Sequence, residues 1–131
     1  MQKGRITPVS WGELVDKITI LEIKRLKIIS SISLININKE LVLLNNIFLE
    51  SEIYLNGVFE IKDQLFEVNV KLWEIEDKIR IMESKKHFDY KFIQLARSIY
   101  TLNDQRADLK RLINTSCNSD IVEEKSYSKY Q

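Results

Sequence analysis

Cysteine occurs once in this 131-residue chain, proline once, histidine once and glycine three times. The lone thiol, Cys117, excludes an internal disulfide framework and a cysteine-rich zinc site. It fits a reducing, cytoplasmic setting. So little proline and glycine leaves scant material for the turns of a β-sandwich or barrel. Charge of one sign is also missing: 20 basic residues face 19 acidic ones, a net charge of +1. No basic surface for nucleic acid is therefore expected. The N-terminus has no apolar signal core, and no run of about 18 apolar residues occurs, so neither secretion nor a membrane span is expected. A membrane-surface helix is disfavoured because acids balance the lysines. There is no glycine-rich phosphate loop.

What remains is a chain 44% hydrophobic and 30% charged, an ordinary globular balance. Its length suits one domain with a real core. A first helix announces its start. Pro8 ends the preceding segment, Ser10 stands as N-cap, and Glu13 completes a capping box, with Val9 and Leu14 at the staple positions. This helix is predicted to run to about Ile35, where Asn36 and Asn38 interrupt the pattern. Asn38 then caps a shorter helix from Lys39 to Leu55, closed at Asn56-Gly57. That second helix is apolar on most sides, so it is either central or covered by a partner. In the third, Leu65, Val68, Leu72, Ile75, Ile79 and Met82 alternate spacings of three and four, which fits bundle packing or a short dimeric coiled coil. Residues 84–89 form a turn. Asp89 caps a fourth helix, whose stripe is Phe92, Leu95, Ile99, Leu102, Leu109 and Ile113, and which stops near Asn114.

The chain is thus expected to be an all-α, single-domain antiparallel helical bundle, with three long helices and one shorter apolar helix. Residues 1–8 form an N-terminal extension and residues 115–131 a tail.

Charges in unusual places locate the candidate site. At 100° per residue, Glu13, Asp16, Lys17, Lys24 and Lys27 share one side of the first helix, read as its solvated face. Leu14, Val15, Ile18, Leu21, Ile28 and Ile29 cover the opposite side, and Glu22 and Arg25 fall within that apolar arc. On the fourth helix Arg106 occupies the seam between Leu102 and Leu109, with Asn103 and Lys110 beside it. On the third, Glu76 and Arg80 are four residues apart, the favourable order for an ion pair. An isolated buried charge costs several kcal/mol, so these groups should pair with one another or bind something. Three readings stay open: an ionic network that fixes helix register, a pocket for a small anionic ligand, and a protein-facing surface. Arginine suits the pocket because its fork binds carboxylate or phosphate bidentately.

Other candidates are weaker. Glu13 with Asp16, and Glu74 with Asp77, have the spacing of a shared divalent-metal site, but both pairs lie on faces read as solvated, so no metal is expected, and no cofactor. His87 reads as a surface residue in a turn. Cys117 has no base nearby to make it a nucleophile. Trp11 and Trp73 read as packing residues.

The blocks "VSWGELVDKITILEIK" (9–24), "LWEIEDKIR" (72–80), "LARSIYTLNDQRADLKRLIN" (95–114) and "VEEKSY" (122–127) resemble a family of small bacterial and phage proteins of unknown function. The likeness covers nearly the whole chain and is vaguest over the second helix. It implies no activity; it implies a genomic neighbourhood of glycosyltransferases for surface polysaccharides. It also brings Glu124, Lys125 and Tyr127 of the tail into view, and with them a tail docked on the bundle, closing over the polar cluster.

The leading expectation is a cytoplasmic accessory or binding protein, serving surface-polysaccharide synthesis, that holds an anionic group or a partner through Glu22, Arg25, Glu76, Arg80, Asn103, Arg106, Lys110 and Tyr127. One alternative is a small helical enzyme that acts on an anionic metabolite by electrostatics. The other is a structural homodimer built through the second helix.

Overall fold

The computed structural model describes residues 4–130. Four helices follow in order: α1 (Trp11–Lys27), α2 (Ser31–Ser51), α3 (Val58–Ser84) and α4 (Tyr90–Ser116), with a single 3-10 turn at Ile53–Asn56 before α3. Short links join α1 to α2 and α3 to α4, which makes each pair antiparallel neighbours. The chain is an all-α, single-domain bundle.

The first helix begins where its sequence signals place it. Ser10 is extended (φ −70°, ψ 159°) and its hydroxyl accepts from the Glu13 N–H at 3.1 Å. Its end differs from expectation. The chain leaves α1 at Ile28 (ψ 137°), and Ser30 caps α2 by accepting from the Ser33 N–H at 3.4 Å. Asn36 and Asn38, expected to break the helix, lie inside α2. The serine hydroxyls at 30–33 compete for backbone groups and favour a helix start over a helix interior, whereas a lone asparagine in a long apolar helix costs only tenths of a kcal/mol. The apolar helix is consequently not the short one: α2 has 21 residues and α1 has 17. It ends at Ser51, not Leu55, where Glu52 turns left-handed (φ 59°). Gly57 (φ 77°) then reverses the chain into α3, a conformation that glycine adopts without penalty.

α1 is the central helix and touches each of the other three. Leu14, Val15, Ile18 and Leu21 meet Ile37, Leu41 and Phe48 of α2, Val58, Ile61 and Leu65 of α3, and Ile113 of α4. Each such burial contributes roughly 1.5–3 kcal/mol relative to exposure. Phe48 packs edge-on against Phe59, ring centroids 5.7 Å apart. α2 lies at the edge. By length and composition it is apolar enough to cross a membrane, with 17% of its most apolar stretch buried in the bundle, although it carries Lys39, Glu40 and Glu50.

The tail, from Asn118 to Tyr130, has no regular structure and runs back along α4. Arg111 pairs with Glu124 at 2.8 Å, the Tyr130 hydroxyl donates to Asp104 at 2.7 Å, and the Tyr130 ring packs on Tyr100 at 4.9 Å.

Candidate functional site

The centre of the polar cluster is Asp16, 1% exposed. Its Oδ1 accepts from Arg106 Nε at 2.9 Å and from Asn69 Nδ2 at 3.0 Å; its Oδ2 accepts from Arg106 Nη2 at 2.5 Å. Asn69 Nδ2 also donates to Thr19 Oγ1 at 2.9 Å, and the Thr19 hydroxyl donates to the Asp16 carbonyl at 2.7 Å. One carboxylate on α1 thus holds α3 through the Asn69 amide and α4 through a bidentate arginine, the strongest geometry for such a pair. The hydrogen bond to Asp16 raises the Arg106 pKa further, against the opposing effect of burial.

Asp16 and Glu13, expected on a solvated face, instead face α4: Asp16 is buried and Glu13 partly so. A two-faced wheel suits a helix with one packed side. α1 packs on three, so the α4 side of the wheel is interior too. Glu13 lies there half-buried and bonds to Lys110 Nζ at 2.7 Å, so only the serine half of the expected capping box forms. The first amides of α1 are also satisfied from α4 and beyond: Gly12 N–H donates to Asn114 Oδ1 at 2.7 Å and Trp11 N–H to Ser119 Oγ at 3.4 Å.

Lys110 joins the cluster to the tail through Glu123, 3.2 Å away. Burial opposes the Lys110 charge, but bonds to Glu13 and Glu123 outweigh it and hold its pKa above the usual 10.5. Burial likewise opposes ionisation of Glu123, and Lys110 outweighs it, so the Glu123 pKa falls below the usual 4.5. The two shifts bound a pH window. The Glu123 contribution is present above the carboxylate's unfolded pKa and is lost as the pH drops through its folded value. The Lys110 contribution is present below the amine's unfolded pKa and is lost as the pH rises through its folded value. Amide hydrogen exchange of residues 120–130 should therefore be slowest between about pH 5 and 10, after correction for intrinsic exchange. Equal protection at pH 3 and pH 7 would contradict a tail held by this link.

The eight candidate residues divide among four places. Glu76, Arg80, Asn103 and Arg106 line one groove of about 480 Å³ between α1, α3 and α4, with Trp73, Asp77 and Asn69. Lys110 and Tyr127 line a second cavity of about 310 Å³ between α4 and the tail. Glu22 faces Lys62, whose ammonium lies 2.9 Å from Oε1 but off a hydrogen-bonding direction, so the link is Coulombic. Arg25 is exposed and has no ion pair among the described residues. Arg80 is solvated and bonds to Glu76 at 3.3 Å, a surface pair worth little. Tyr127 is exposed as well.

Within the groove, Arg106 uses Nε and Nη2 on Asp16 and leaves Nη1 without a partner among the described residues. Asn69 spends its amide nitrogen on Asp16 and Thr19, which leaves its carbonyl oxygen free to accept. Trp73, read from sequence as packing, is half-buried in the wall.

The sequence places Asn69 along the edge of the α3 seam without a site role, and it does not bring in Asp16, Thr19, Asn114 or Glu123 as site residues. The usable signal was Asn69, a polar residue next to the seam position Val68, which requires a partner when buried. Among the described residues no group of three or more His, Cys, Asp or Glu is placed to hold a metal ion. Cys117 is partly buried, and burial raises its thiol pKa, against a bond from Asn56. That opposes thiolate chemistry.

No curated protein and no solved structure matches the chain. Residues 5–130 match a family described as a family of unknown function. The match takes in all four helices and nearly the whole tail, and on that ground the chain belongs to the family DUF6165.

Proposed function

We propose that the protein is a cytoplasmic binding or accessory protein that takes a small organic anion in the groove between α1, α3 and α4. The observation that carries this is the gathering of Arg106, Arg80, Asn103 and Asn69 around one opening, with Trp73 in its wall. The free Nη1 edge of Arg106 and the loosely held Arg80 offer donors to a carboxylate or phosphate. Trp73 and Leu72 offer apolar surface to the body of the ligand. Asp16 already pairs with Arg106 and Glu76 with Arg80, and Asp77 adds a further negative charge to the lining, so a ligand with hydroxyl or amino groups as well as an anionic one fits better than a bare polyanion. A role in surface-polysaccharide synthesis rests on the sequence resemblance alone and makes sugar nucleotides the first compounds to try.

The lining holds no Ser, Thr, Cys, His or Lys. A catalytic reading would rest on Glu76 and Asp77, and binding is the simpler role for these groups.

Thermal-shift titration with inorganic phosphate, dicarboxylates and sugar nucleotides tests the proposal. A ligand at 100 times its Kd should stabilise the fold by about 2.7 kcal/mol. Arg80→Ala and Trp73→Ala should each weaken binding about tenfold or more without disturbing the core, consistent with the loss of 1–3 kcal/mol on removing one charged or aromatic contact. Melting curves unmoved by every compound would overturn the reading.

A further inference from the structure

The outer face of α2 is uncovered. Ile37, Leu41 and Phe48 of this helix point into the core, while Ile32, Ile35, Val42, Leu43 and Leu49 on the other side are 53–75% exposed. Exposed apolar side chains scattered singly need no explanation, but these follow a rule. Residues 32, 35, 39, 42, 46 and 49 alternate spacings of three and four along the whole helix. They read Ile, Ile, Lys, Val, Asn, Leu, the a/d sequence of a coiled-coil seam with polar residues at two a positions. The core-facing residues do not use this seam. α2 therefore presents two packing stripes, and the bundle fills one of them.

We propose that this face is the interface of a homodimer, formed by α2 against α2 of a second copy in antiparallel alignment. Three observations select that occupant. The first is extent: Ile29, Ile32, Ile35, Val42, Leu43 and Leu49 are all 53–92% exposed, a stripe of six large apolar side chains along the helix of the kind that the core of a stable interface buries. The second is charge. α2 carries just Lys39, Glu40 and Glu50; asparagines 36, 38 and 45 line the rim of the seam, so Lys39 is the one charged residue within the seam itself. A membrane-surface helix would carry a basic polar face instead. The third is self-complementarity. Antiparallel pairing about the midpoint sets Ile32 opposite Leu49, Ile35 opposite Asn46, and Lys39 opposite Val42, and the two-fold axis repeats each contact. Parallel pairing would bring the two Lys39 ammoniums into one layer, whereas antiparallel pairing sets them in neighbouring layers, each against a valine, so Lys39 favours the antiparallel arrangement. Its aliphatic stem covers the neighbouring valine while its head reaches water.

Light scattering and sedimentation equilibrium of the whole chain from about 1 to 500 µM test this, because a dimer is concentration-dependent by mass action. The expected mass is twice the 15.5 kDa of one chain. Ile35→Glu with Val42→Glu should raise the dissociation constant at least 100-fold, since two charges are forced into an apolar seam. Far-UV circular dichroism of the dilute variant should match wild type, because both side chains lie on the face the core does not use. Ile32→Glu is an independent variant at the seam's end and should act in the same direction. Lys39→Leu should tighten association about tenfold or more, because a polar a position sets the arrangement at a cost in stability. A wild type that stays at 15.5 kDa throughout overturns the proposal, as does a double variant that keeps the dimer mass. Monomeric wild type that binds neutral phosphatidylcholine vesicles also overturns it, and assigns the face to lipid.

Discussion

Replacing Arg106 with methionine should destabilise the fold by about 3–5 kcal/mol at neutral pH, because it strands a buried carboxylate. Arg106 reaches solvent in part; Asp16, the acid it holds, is 1% exposed and cannot turn to water without unpacking α1 from α3 and α4. After the substitution Asp16 keeps one side-chain hydrogen bond, from Asn69. Asp16→Leu added to Arg106→Met should recover much of the loss, since an apolar pair of similar volume often replaces a buried ion pair at little cost. Urea unfolding of the wild type, both single variants and the double variant at pH 7 measures the coupling. Additive losses would mean that the two groups do not act as a pair.

The same pair shows what was legible in the sequence and what was not. Two local cap signals acted as read, and a third, Asn38, did not. Ser10 and Asp89 cap their helices as their positions imply, the latter accepting from the Phe92 N–H at 3.1 Å. The expected cap and stop placed α4 to within two residues and the turn at 84–89 placed the end of α3, whereas the seam of α3 was read from Leu65 and its true start, Val58, was not. Arg106 and Lys110 could be singled out because each interrupts or flanks an apolar stripe. Their partners could not, because Asp16 and Glu13 sit on the wheel among Lys17, Lys24 and Lys27, and nothing local says that α4 covers that side. Whether a polar residue faces water or another helix is decided by how many neighbours its helix has, a property of the whole fold. The break between α1 and α2 was lost for a related reason. The apolar rhythm runs unbroken from Leu21 to Ile35, and serine hydroxyls at 30–33 end it more quietly than a proline would. The exposed seam of α2 was legible as an excess of apolar residues, while the split into an inner and an outer stripe needed the core to be seen.

Gly12→Ala should cost about 2–4 kcal/mol, although alanine is the better helix former. Inside a helix the exchange ordinarily gains about 1 kcal/mol. Here α1 crosses the end of α4 so closely that an added Cβ would lie 2.9 Å from Asn114 Oδ1 and still closer to the Lys110 carbonyl oxygen. The Lys110 obstacle is backbone in the middle of a helical turn and cannot rotate away. Overpacking of this kind costs about 1–3 kcal/mol. Pushing the helices apart also stretches the buried 2.7 Å bond from Gly12 N–H to Asn114, and a buried donor left unmet costs a further 1–3 kcal/mol or so. The steric and polar losses together exceed the helical gain, so the sign is negative. The other described glycines supply the contrast. Gly4 has open space around it, and Gly4→Ala should be neutral within about 0.5 kcal/mol. Gly57→Ala meets no atoms but must hold φ 77°, so it should cost about 1–2 kcal/mol through backbone strain alone. Chemical denaturation of the three alanine variants should rank them Gly12, Gly57, Gly4 in order of loss. A neutral or stabilising Gly12→Ala would mean that α1 and α4 do not approach this closely, and that the Lys110 and Arg106 bonds bridge a looser junction than the structure shows.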